Sequence, residues 1–327
     1  MIESRCFARA VCAAGAMSLL AVAPALAQRY PDKPVRLVIG FPPAGPVDNI
    51  ARPIAPRIAE VLGQPVLIEN RPGAGGSIGV NAVAKSPPDG HTLLWGSAGP
   101  VAINVSLYPN VGYDPVKDFA PVTLAVSTQV ILTVHPSLNV NSVKELIALA
   151  RSRPGQLNYA SVGSGSSPHL AMELFNDMAG IKLLHVPCKG GAEAMTDLAA
   201  GRVDLIFLGV SSVAPFVKSG KLKALAVATS KRAAAMPDVP TMHEAGVTGY
   251  DANSWHGVLA PAGTPRAVID QLNGVIVKVL RQPEVGATLL NQGAEPVGST
   301  PDEFGAYIRA EVMKWARVIK AANIKAD

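Results

Sequence analysis

Cysteine is scarce in this sequence, and most of it lies at one end of the chain. Of three cysteines in 327 residues, Cys6 and Cys12 fall within the first 27 residues and Cys188 alone lies beyond them. Without those 27 residues the chain has no second thiol for an internal disulfide, so its fold must be held by a hydrophobic core. We interpret Cys188, at a predicted strand-to-helix turn, as a small half-buried residue rather than a nucleophile.

Long apolar segments and dense clusters of positive charge are also missing. Beyond residue 27 no apolar run approaches the roughly 20 residues of a membrane-spanning helix. Leaving out Glu3, Arg5 and Arg9 changes the counts from 29 basic and 24 acidic residues to 27 and 23, a net charge of +4. No run of lysine and arginine with interleaved aromatic residues occurs, so nucleic acid is not an expected partner. The mild positive charge favours anions.

The first 27 residues have the features of a cleavable secretory signal. Two arginines precede an apolar stretch at residues 10–23, and the small-residue triplet Ala25-Leu26-Ala27 ends the segment. The apolar stretch is too short to span a membrane, and Pro24 follows it. We therefore expect export and cleavage after Ala27.

Short apolar runs alternate with helical patterns from Tyr30 onward, which is typical of parallel sheets wound with helices. The predicted strands are Val35–Phe41, Val66–Glu69, Thr92–Gly96, Leu157–Ala160, Lys182–Val186, Val203–Leu208 and Leu222–Ala228. Helix start signals predict Val143–Arg151 after a capping box of Ser142 and Glu145, a helix from Thr264-Pro265 to about Leu280, and one from Thr300-Pro301 to about Ile319.

One apolar segment is too long for a single ordinary strand. Val122–His135 has roughly 14 residues against a typical 5 to 6, and we interpret it as a strand that leaves one lobe and enters another. Trp255–Pro261 would return the chain. The predicted fold class is therefore α/β with two lobes, each a sheet flanked by helices, joined by two crossing strands that form a hinge. Lobe 1 would combine residues 28–125 and 250–327, and lobe 2 would be residues 126–249.

Two loops rich in glycine, proline and serine follow predicted strands and precede predicted helices. The first extends from Phe41 to Asp48 and the second from Ser161 to His169. Unpaired N–H groups at a helix start can hold an anion, glycine permits close approach, and serine adds hydroxyl donors. From these residues alone, a carboxylate site and a pair of ordinary capped turns are equal alternatives.

Prolines disturb the helix that follows the first loop. Pro53 and Pro56 lie inside its apolar pattern, where each removes a hydrogen bond. The helix is therefore kinked or begins late, and the sequence leaves both possibilities open.

Motifs for catalysis, cofactors and metals are incomplete. Gly73–Gly79 resembles a dinucleotide-binding loop, but Ile78 occupies the position of its last glycine. No G-x-S-x-G elbow surrounds Ser97, Ser164, Ser166 or Ser211, and no H-E-x-x-H pattern occurs. We expect no cofactor, no metal and no enzymatic activity, and the runner-up function is an exported hydrolase-like enzyme using the same cleft.

Several longer motifs follow one another along the chain. They are Val35–Ile39 with Phe41-Pro42-Pro43, Glu69–Gly76, Pro88–Leu94, His185-Val186-Pro187, Gly220–Val227 and Ala260–Pro265. In this order they resemble the Bug family, the extracytoplasmic solute receptors of tripartite tricarboxylate transporters. The resemblance implies a periplasmic binding protein of the Venus flytrap type that closes on a small organic carboxylate for transport or sensing. Its expected partners are that ligand and a transporter membrane complex or a sensor protein, and we expect a monomer.

The resemblance also implies which residues line the cleft. The first loop would contribute Phe41, Pro42, Ala44 and Gly45, with Asp48 bracing the helix end. The second loop would contribute Gly163, Ser164, Gly165 and Ser166, with His169 just behind. Ser97 and Leu208, at the ends of two predicted strands, would line the same cleft.

Three positions depart from the family pattern. Ala44 replaces a common glycine, Cys188 replaces a common tyrosine, and Leu208 replaces a common acidic residue. If that acid pairs with a ligand ammonium, its loss argues against an amino acid as the ligand. Leu208 then favours a more apolar acid, including an aromatic one.

Overall fold

The computed structural model describes residues 30–188 and 190–325, so the predicted signal at residues 1–27 lies outside the described residues. The strands are β1 (Val35–Ile39), β2 (Val66–Asn70), β3 (Thr92–Ser97), β4 (Phe119–Thr128), β5 (Val130–Val134), β6 (Asn158–Ser161), β7 (Leu184–Pro187), β8 (Leu205–Gly209), β9 (Lys223–Val227), β10 (Ser254–Pro261) and β11 (Ala294–Pro296).

Helices connect and flank these strands. They are α1 (Pro46–Ala51), α2 (Ala55–Leu62), α3 (Ser77–Ala84), α4 (Asn104–Leu107), α5 (Val143–Ser152), α6 (Ser167–Ala179), α7 (Gly191–Ala199), α8 (Val210–Lys218), α9 (Arg266–Leu280), α10 (Pro283–Asn291) and α11 (Pro301–Ala321).

The strands form two separate sheets, and each sheet with its helices makes one lobe. The first sheet has the order β11-β4-β10-β3-β1-β2, and the second has the order β7-β6-β8-β5-β9. In the first sheet β1 is parallel to β2 and β3, whereas β10 is antiparallel to β3 and β4. The carboxyl ends of β1 and β3 therefore share one edge of the sheet, where ligands of open α/β sheets gather.

The long segment predicted at Val122–His135 consists of two strands rather than one. β4 belongs to the first sheet and β5 to the second, and Gln129 lies between them. The chain returns through the irregular segment 228–253, so the return link itself is not a strand and β10 lies wholly in the first sheet. The two links between the lobes are adjacent where they enter the first sheet, since the Asn253 side chain donates a hydrogen bond to Ser127 Oγ at 3.0 Å.

Apolar packing holds each lobe together and also joins the two. One cluster covers a face of the first sheet with Ile39, Trp95 and Val258, and another covers the outer face of the second sheet. A third cluster is shared, because it contains Leu94 of the first sheet and Phe207 of the second. Each such buried side chain contributes about 1.5–3 kcal/mol, so the shared cluster restricts how the lobes can move.

The two prolines after the first loop divide one helical pattern into two helices. α1 ends at Ala51 and α2 begins at Ala55, so Pro53 lies in the break. Pro56 falls in the first turn of α2, where its missing N–H has no helical partner to lose. The kinked alternative is therefore the one the structure shows.

The side-chain hydrogen bonds at three predicted helix starts agree only partly with the sequence signals. The capping box at Thr300 and Glu303 is complete. At α5 the box is only half formed, because Glu145 accepts the N–H of Asn141 rather than that of Ser142. Thr264 donates its hydroxyl to the carbonyl of Pro261 instead of capping α9.

Two classes of site are not found in the described part of the chain. None of its helices combines the length and apolar character needed to cross a bilayer. Within the same residues no three His, Cys, Asp or Glu side chains are grouped so that they could bind a metal ion.

Candidate functional site

Asp48 fixes the shape of the first loop. Its side chain is fully buried, and Oδ2 accepts the backbone N–H of Ala44 at 3.0 Å. Arg52 donates to both carboxylate oxygens at 2.7 Å, and Asn70 Nδ2 donates to Oδ1 at 3.0 Å and to the carbonyl of Phe41 at 2.9 Å. The Arg52 hydrogen bonds lower the pKa of Asp48 to about 2 against the opposing effect of burial. The carboxylate is thus charged, paired and unavailable to a ligand.

The first loop presents backbone rather than charged side chains. Ala44 has a positive φ of 60°, a conformation that costs a non-glycine residue about 1–2 kcal/mol, and the Asp48 hydrogen bond maintains it. Gly45 is the N-cap of α1. Because α1 has only six residues, its dipole supplies less positive potential than the sequence led us to expect.

Glycine allows another loop of lobe 1, the glycine-rich turn around Gly76, to pack directly against the first loop. A Cβ on Gly76 would lie 3.0 Å from the Phe41 ring, and a Cβ on Gly40 would lie 2.5 Å from the Gly76 carbonyl oxygen. Asn104 at the start of α4 donates to the carbonyl of Gly75 at 3.1 Å. The Phe41 ring, the glycine loop and α4 therefore form one wall of lobe 1.

In lobe 2, the loop between β6 and α6 is held by its own polar groups. The Gly165 N–H donates to Nδ1 of His169 at 2.9 Å, and the Ser166 hydroxyl donates to the carbonyl of Gly163 at 2.6 Å. The Ser161 hydroxyl lies 2.7 Å from Nε2 of His185. The Gly165 N–H and the Ser166 hydroxyl, both predicted ligand groups, thus serve the loop itself.

Two neighbouring serines have polar groups left over. The hydroxyls of Ser164 and Ser167 make no hydrogen bond to any residue in ranges 30–188 and 190–325, and both serines are half-buried. Ser167 begins α6, a helix of 13 residues, and its N–H has no partner within the helix, whereas the next residue, Pro168, has no N–H. Hydroxyls and first-turn N–H groups together can hold a carboxylate.

Aromatic rings support this loop from below. The rings of His169 and His185 stack with centroids 3.8 Å apart, and Tyr159 stacks on His185 at 5.0 Å. The Tyr159 hydroxyl donates to Glu173 of α6 at 2.5 Å. The stack ties the loop to β6, β7 and α6, which makes it a rigid platform. Sequence reasoning missed His185, although it lies in a motif that carried the family resemblance.

The second loop touches lobe 1 directly. A Cβ on Gly165 would lie 2.3 Å from Cδ2 of Leu107 in α4. Gly165 also has a φ of +72°, which glycine adopts readily. Contacts therefore run from Phe41 through the glycine loop and α4 to Gly165, so the two loops are connected through α4. Sequence reasoning did not single out Leu107, because a lone leucine in a short helix has no sequence signal.

Ser97 lies at the edge of the first sheet with a neutral histidine beside it. Ser97 of β3 is paired with His256 of β10, and the His256 ring stacks on Trp95 with centroids 6.2 Å apart. Burial lowers the pKa of His256 to about 4. Both side chains are almost completely buried, so Ser97 lies under the cleft edge rather than projecting from it.

Leu208 is the last residue but one of β8, next to the second loop. It belongs to the outer apolar cluster of lobe 2 and is 8% exposed. A Cβ on Gly191 would lie 4.0 Å from both Leu208 Cδ1 and Val162 Cγ1. Leu208 therefore gives this side of the loop an apolar boundary with no charge.

Two grooves of the described surface lie elsewhere. One, of about 170 Å³, separates α2 from α10, and the other, of about 420 Å³, lies between residues 105–116 and Val312 of α11. Neither is lined by a residue of the two loops, so neither corresponds to the predicted ligand site.

Comparison with known proteins gives consistent matches over most of the chain. Residues 50–324 match the model of the tripartite tricarboxylate transporter family receptor. The chain is 38% identical to Protein BugT of Bordetella pertussis over 304 residues, 93% of each chain.

Solved structures of similar proteins include two with bound acids. The R. palustris protein Rpa4515 with adipate is 40% identical, has a TM-score of 0.75, and the match covers 90% of this chain and 99% of that one. MatC (Rpa3494) from Rhodopseudomonas palustris with bound malate is 34% identical, with a TM-score of 0.71 and coverage of 89% and 100%. These similarities confirm the two-lobed α/β fold class and the predicted resemblance to Bug proteins.

Proposed function

Because this chain belongs to the tripartite tricarboxylate transporter receptor family, we propose that it captures a small organic carboxylate between its lobes for transport or sensing. Family members are periplasmic binding receptors. The observation that carries the proposal is the pair of uncommitted hydroxyls of Ser164 and Ser167 at the start of α6. A carboxylate there would accept hydrogen bonds from groups that otherwise have no partner.

Both loops contribute to the proposed site in different ways. Ser164, Ser167 and the first turn of α6 donate to the carboxylate, and each charge-assisted hydrogen bond contributes about 1.5–3 kcal/mol. Phe41, Pro42, Ala44 and Gly45 form the facing wall, and Asp48 holds it in place. Gly163, Gly165, Ser166 and His169 shape the donor loop, Leu208 lies at its margin, and Ser97 lies buried at the edge of the first sheet.

The lack of a free acidic side chain among the proposed site residues restricts the class of ligand. Asp48 is fully paired, and Leu208 brings no acid to the second loop, so nothing named in the site would pair with a ligand ammonium. We therefore propose an acid without an amino group. Its class includes dicarboxylates such as the adipate and malate bound by the two relatives, together with aromatic acids.

The cellular setting belongs to the same proposal. The pattern of residues 1–27 supports export to the periplasm and cleavage after Ala27. A monomer with lobes at residues 28–125 plus 250–327 and 126–249 would deliver its acid to a membrane transporter complex or a sensor protein. We propose no cofactor and no nucleic-acid partner.

A hydrolase is the second candidate, because one serine lies against a histidine. Ser161 Oγ is 2.7 Å from His185 Nε2, a distance suited to nucleophile and base. However, Ser161 is fully buried, and its hydroxyl is also engaged with the carbonyl and N–H of Gly163. We therefore assign the pair to loop support. Hydrolysis of p-nitrophenyl acetate that disappears in Ser161→Ala would favour the enzyme instead.

Calorimetry with a panel of acids tests the proposed function. We expect at least one of adipate, malate or benzoate to bind, and aspartate and glutamate to bind more weakly than the best of these. Ser164→Ala should weaken binding about tenfold or more by removing a hydrogen bond to a charged group. Ser219→Ala, on an exposed serine outside the loops, is the control. Preferential binding of the amino acids, or unchanged affinity in Ser164→Ala, would contradict the proposal.

A further inference from the structure

The two links between the lobes meet beneath α11. Tyr250 is anchored in lobe 2, since its hydroxyl donates to the carbonyl of Ala171 in α6 at 2.7 Å, and its ring stacks on Phe207. Ala252 donates its N–H to the carbonyl of Ala228, the residue after β9, at 3.0 Å. Asn253, the next residue, is already bonded to Ser127 of β4. The pivot of the return link therefore lies between Ala252 and Asn253.

α11 contacts the chain on both sides of this pivot. The Tyr307 hydroxyl donates to Oδ1 of Asn253 at 3.0 Å, and Lys314 Nζ donates to the carbonyl of Asp251 at 2.9 Å. α11 also packs on β4 of lobe 1 and on α6 of lobe 2. Its polar side chains thus bridge the last residues fixed to lobe 2 and the first residues fixed to lobe 1.

A buried carboxylate holds Lys314 in this position. Glu311, 3% exposed, forms an ion pair with Lys314 and accepts the indole N–H groups of Trp255 and Trp315 at 3.1 and 3.0 Å. Lys314 also lies over the Trp315 ring at 4.6 Å. This arrangement is more elaborate than helix packing requires, because burying a charge is costly unless it is paired and hydrogen-bonded.

We propose that Lys314, Glu311 and Tyr307 act as a hinge clamp that fixes the resting angle between the lobes. This inference rests on the proposed function, since the resting angle matters for a receptor that closes on its ligand. The three side chains touch no residue of the two loops in the contacts above. They are positioning residues, and they set how often the empty protein visits the closed arrangement.

The charges around the pivot agree with this role. Burial raises the pKa of Asp251, the negative charge of Glu311 raises it further, and the positive charge of Lys314 lowers it. Lys314 is the cation among these three groups, so its removal leaves Asp251 and Glu311 uncompensated. The segment 251–253 would then keep the hydrogen bond from Tyr307 but lose the one from Lys314, together with its counter-charge.

The distance between the lobes of the empty protein tests the clamp without any ligand. Spin labels would be placed at Lys85→Cys and Lys144→Cys, exposed positions in the two lobes, in a Cys188→Ser background. We expect Lys314→Met to broaden the distribution of distances between the two labels. The ratio of the closed to the resting arrangement of the lobes should change by about tenfold, which is the effect of losing one charge-assisted hydrogen bond. Tyr307→Phe should act in the same direction by a smaller amount.

The control is Lys320→Met, which removes an exposed lysine of the same helix and should leave the distribution unchanged. If Lys314→Met fails to fold, Tyr307→Phe decides the question, because it removes only one hydroxyl. Wild-type distributions in the folded variants would overturn the clamp. The result is separate from the proposed function, since it does not depend on whether any acid binds.

Discussion

At the scale of single residues, Asp48 illustrates how a buried charge can shape a site without touching the ligand. We predict that Asp48→Asn lowers the free energy of unfolding by about 1–3 kcal/mol at pH 7, because Arg52 loses its buried partner. The pKa of Asp48 is lowered from 3.8 to about 2. Its stabilising effect is therefore present above the unfolded value and is lost as the pH falls from 3.8 toward 2.

Urea unfolding between pH 7 and pH 2 measures this effect. The variant should lose less stability than the wild type across the acid range, whereas Asp302→Asn, at an exposed carboxylate, should change little at pH 7. Equal acid sensitivity of wild type and Asp48→Asn would show that the carboxylate does not stabilise the loop.

His256 provides a second pH-dependent contribution to stability, from a histidine that is neutral when buried rather than from a charged carboxylate. Burial lowers its pKa from 6.5 to about 4. Between these two pH values the histidine is therefore protonated in the unfolded chain and neutral in the folded protein. Stability should therefore decrease as the pH falls from 6.5 toward 4. We predict a shallower decrease for His256→Gln in melting temperature measured across this range. If the melting temperature of His256→Gln fell with pH as steeply as that of the wild type, His256 would not cause the acid destabilisation. The same would follow if His243→Gln, at an exposed histidine, changed the slope as much as His256→Gln.

Residue roles were only partly predictable from the sequence. The two loops could be identified, because strand, glycine and helix signals follow one another there. Which polar groups remain for a ligand could not, since the Gly165 N–H is taken by His169 and the Ser166 hydroxyl by Gly163. Such internal hydrogen bonds depend on loop conformation, which residue types do not determine.

At the scale of elements, the short helix α4 determines how closely the second loop can approach lobe 1. We predict that Gly165→Ala weakens acid binding about tenfold or more, because its Cβ would meet Leu107 and its positive φ is unfavourable for alanine. The double variant Gly165→Ala with Leu107→Ala should recover part of the affinity. Calorimetry with the best acid of the panel makes this comparison.

Gly180→Ala is the matched control for backbone strain. Gly180 ends α6 with a φ of 60° and has no atom within 4 Å of a Cβ position, so it shares the strain but not the clash. Equal losses of affinity in the two single variants would mean that the contact with Leu107 is irrelevant to binding.

Local sequence patterns are sufficient to predict most strand boundaries, but they fail at one segment. Most predicted strands shifted by only one or two residues, since apolar runs bounded by turn residues define them. The segment Val122–His135 was taken as one strand because its apolar pattern is nearly continuous. Pairing with different sheets divides it at Gln129, and that depends on contacts distant in sequence.

At the scale of the whole molecule, the two-lobed α/β fold and the receptor family were predictable because several long motifs occur in order. The hinge geometry was not, because it arises where Ser127, Asn253 and α11 meet from three distant parts of the sequence. The proposed function therefore requires that the two loops contact one anion from opposite sides of the cleft.

A crystal structure of the protein with the acid that binds most tightly in the panel tests that claim most directly. We predict one carboxylate within hydrogen-bonding distance of Ser164 or Ser167, with the turn Phe41–Gly45 against the same ligand. An acid bound elsewhere, or loops too far apart to contact one molecule, would contradict it.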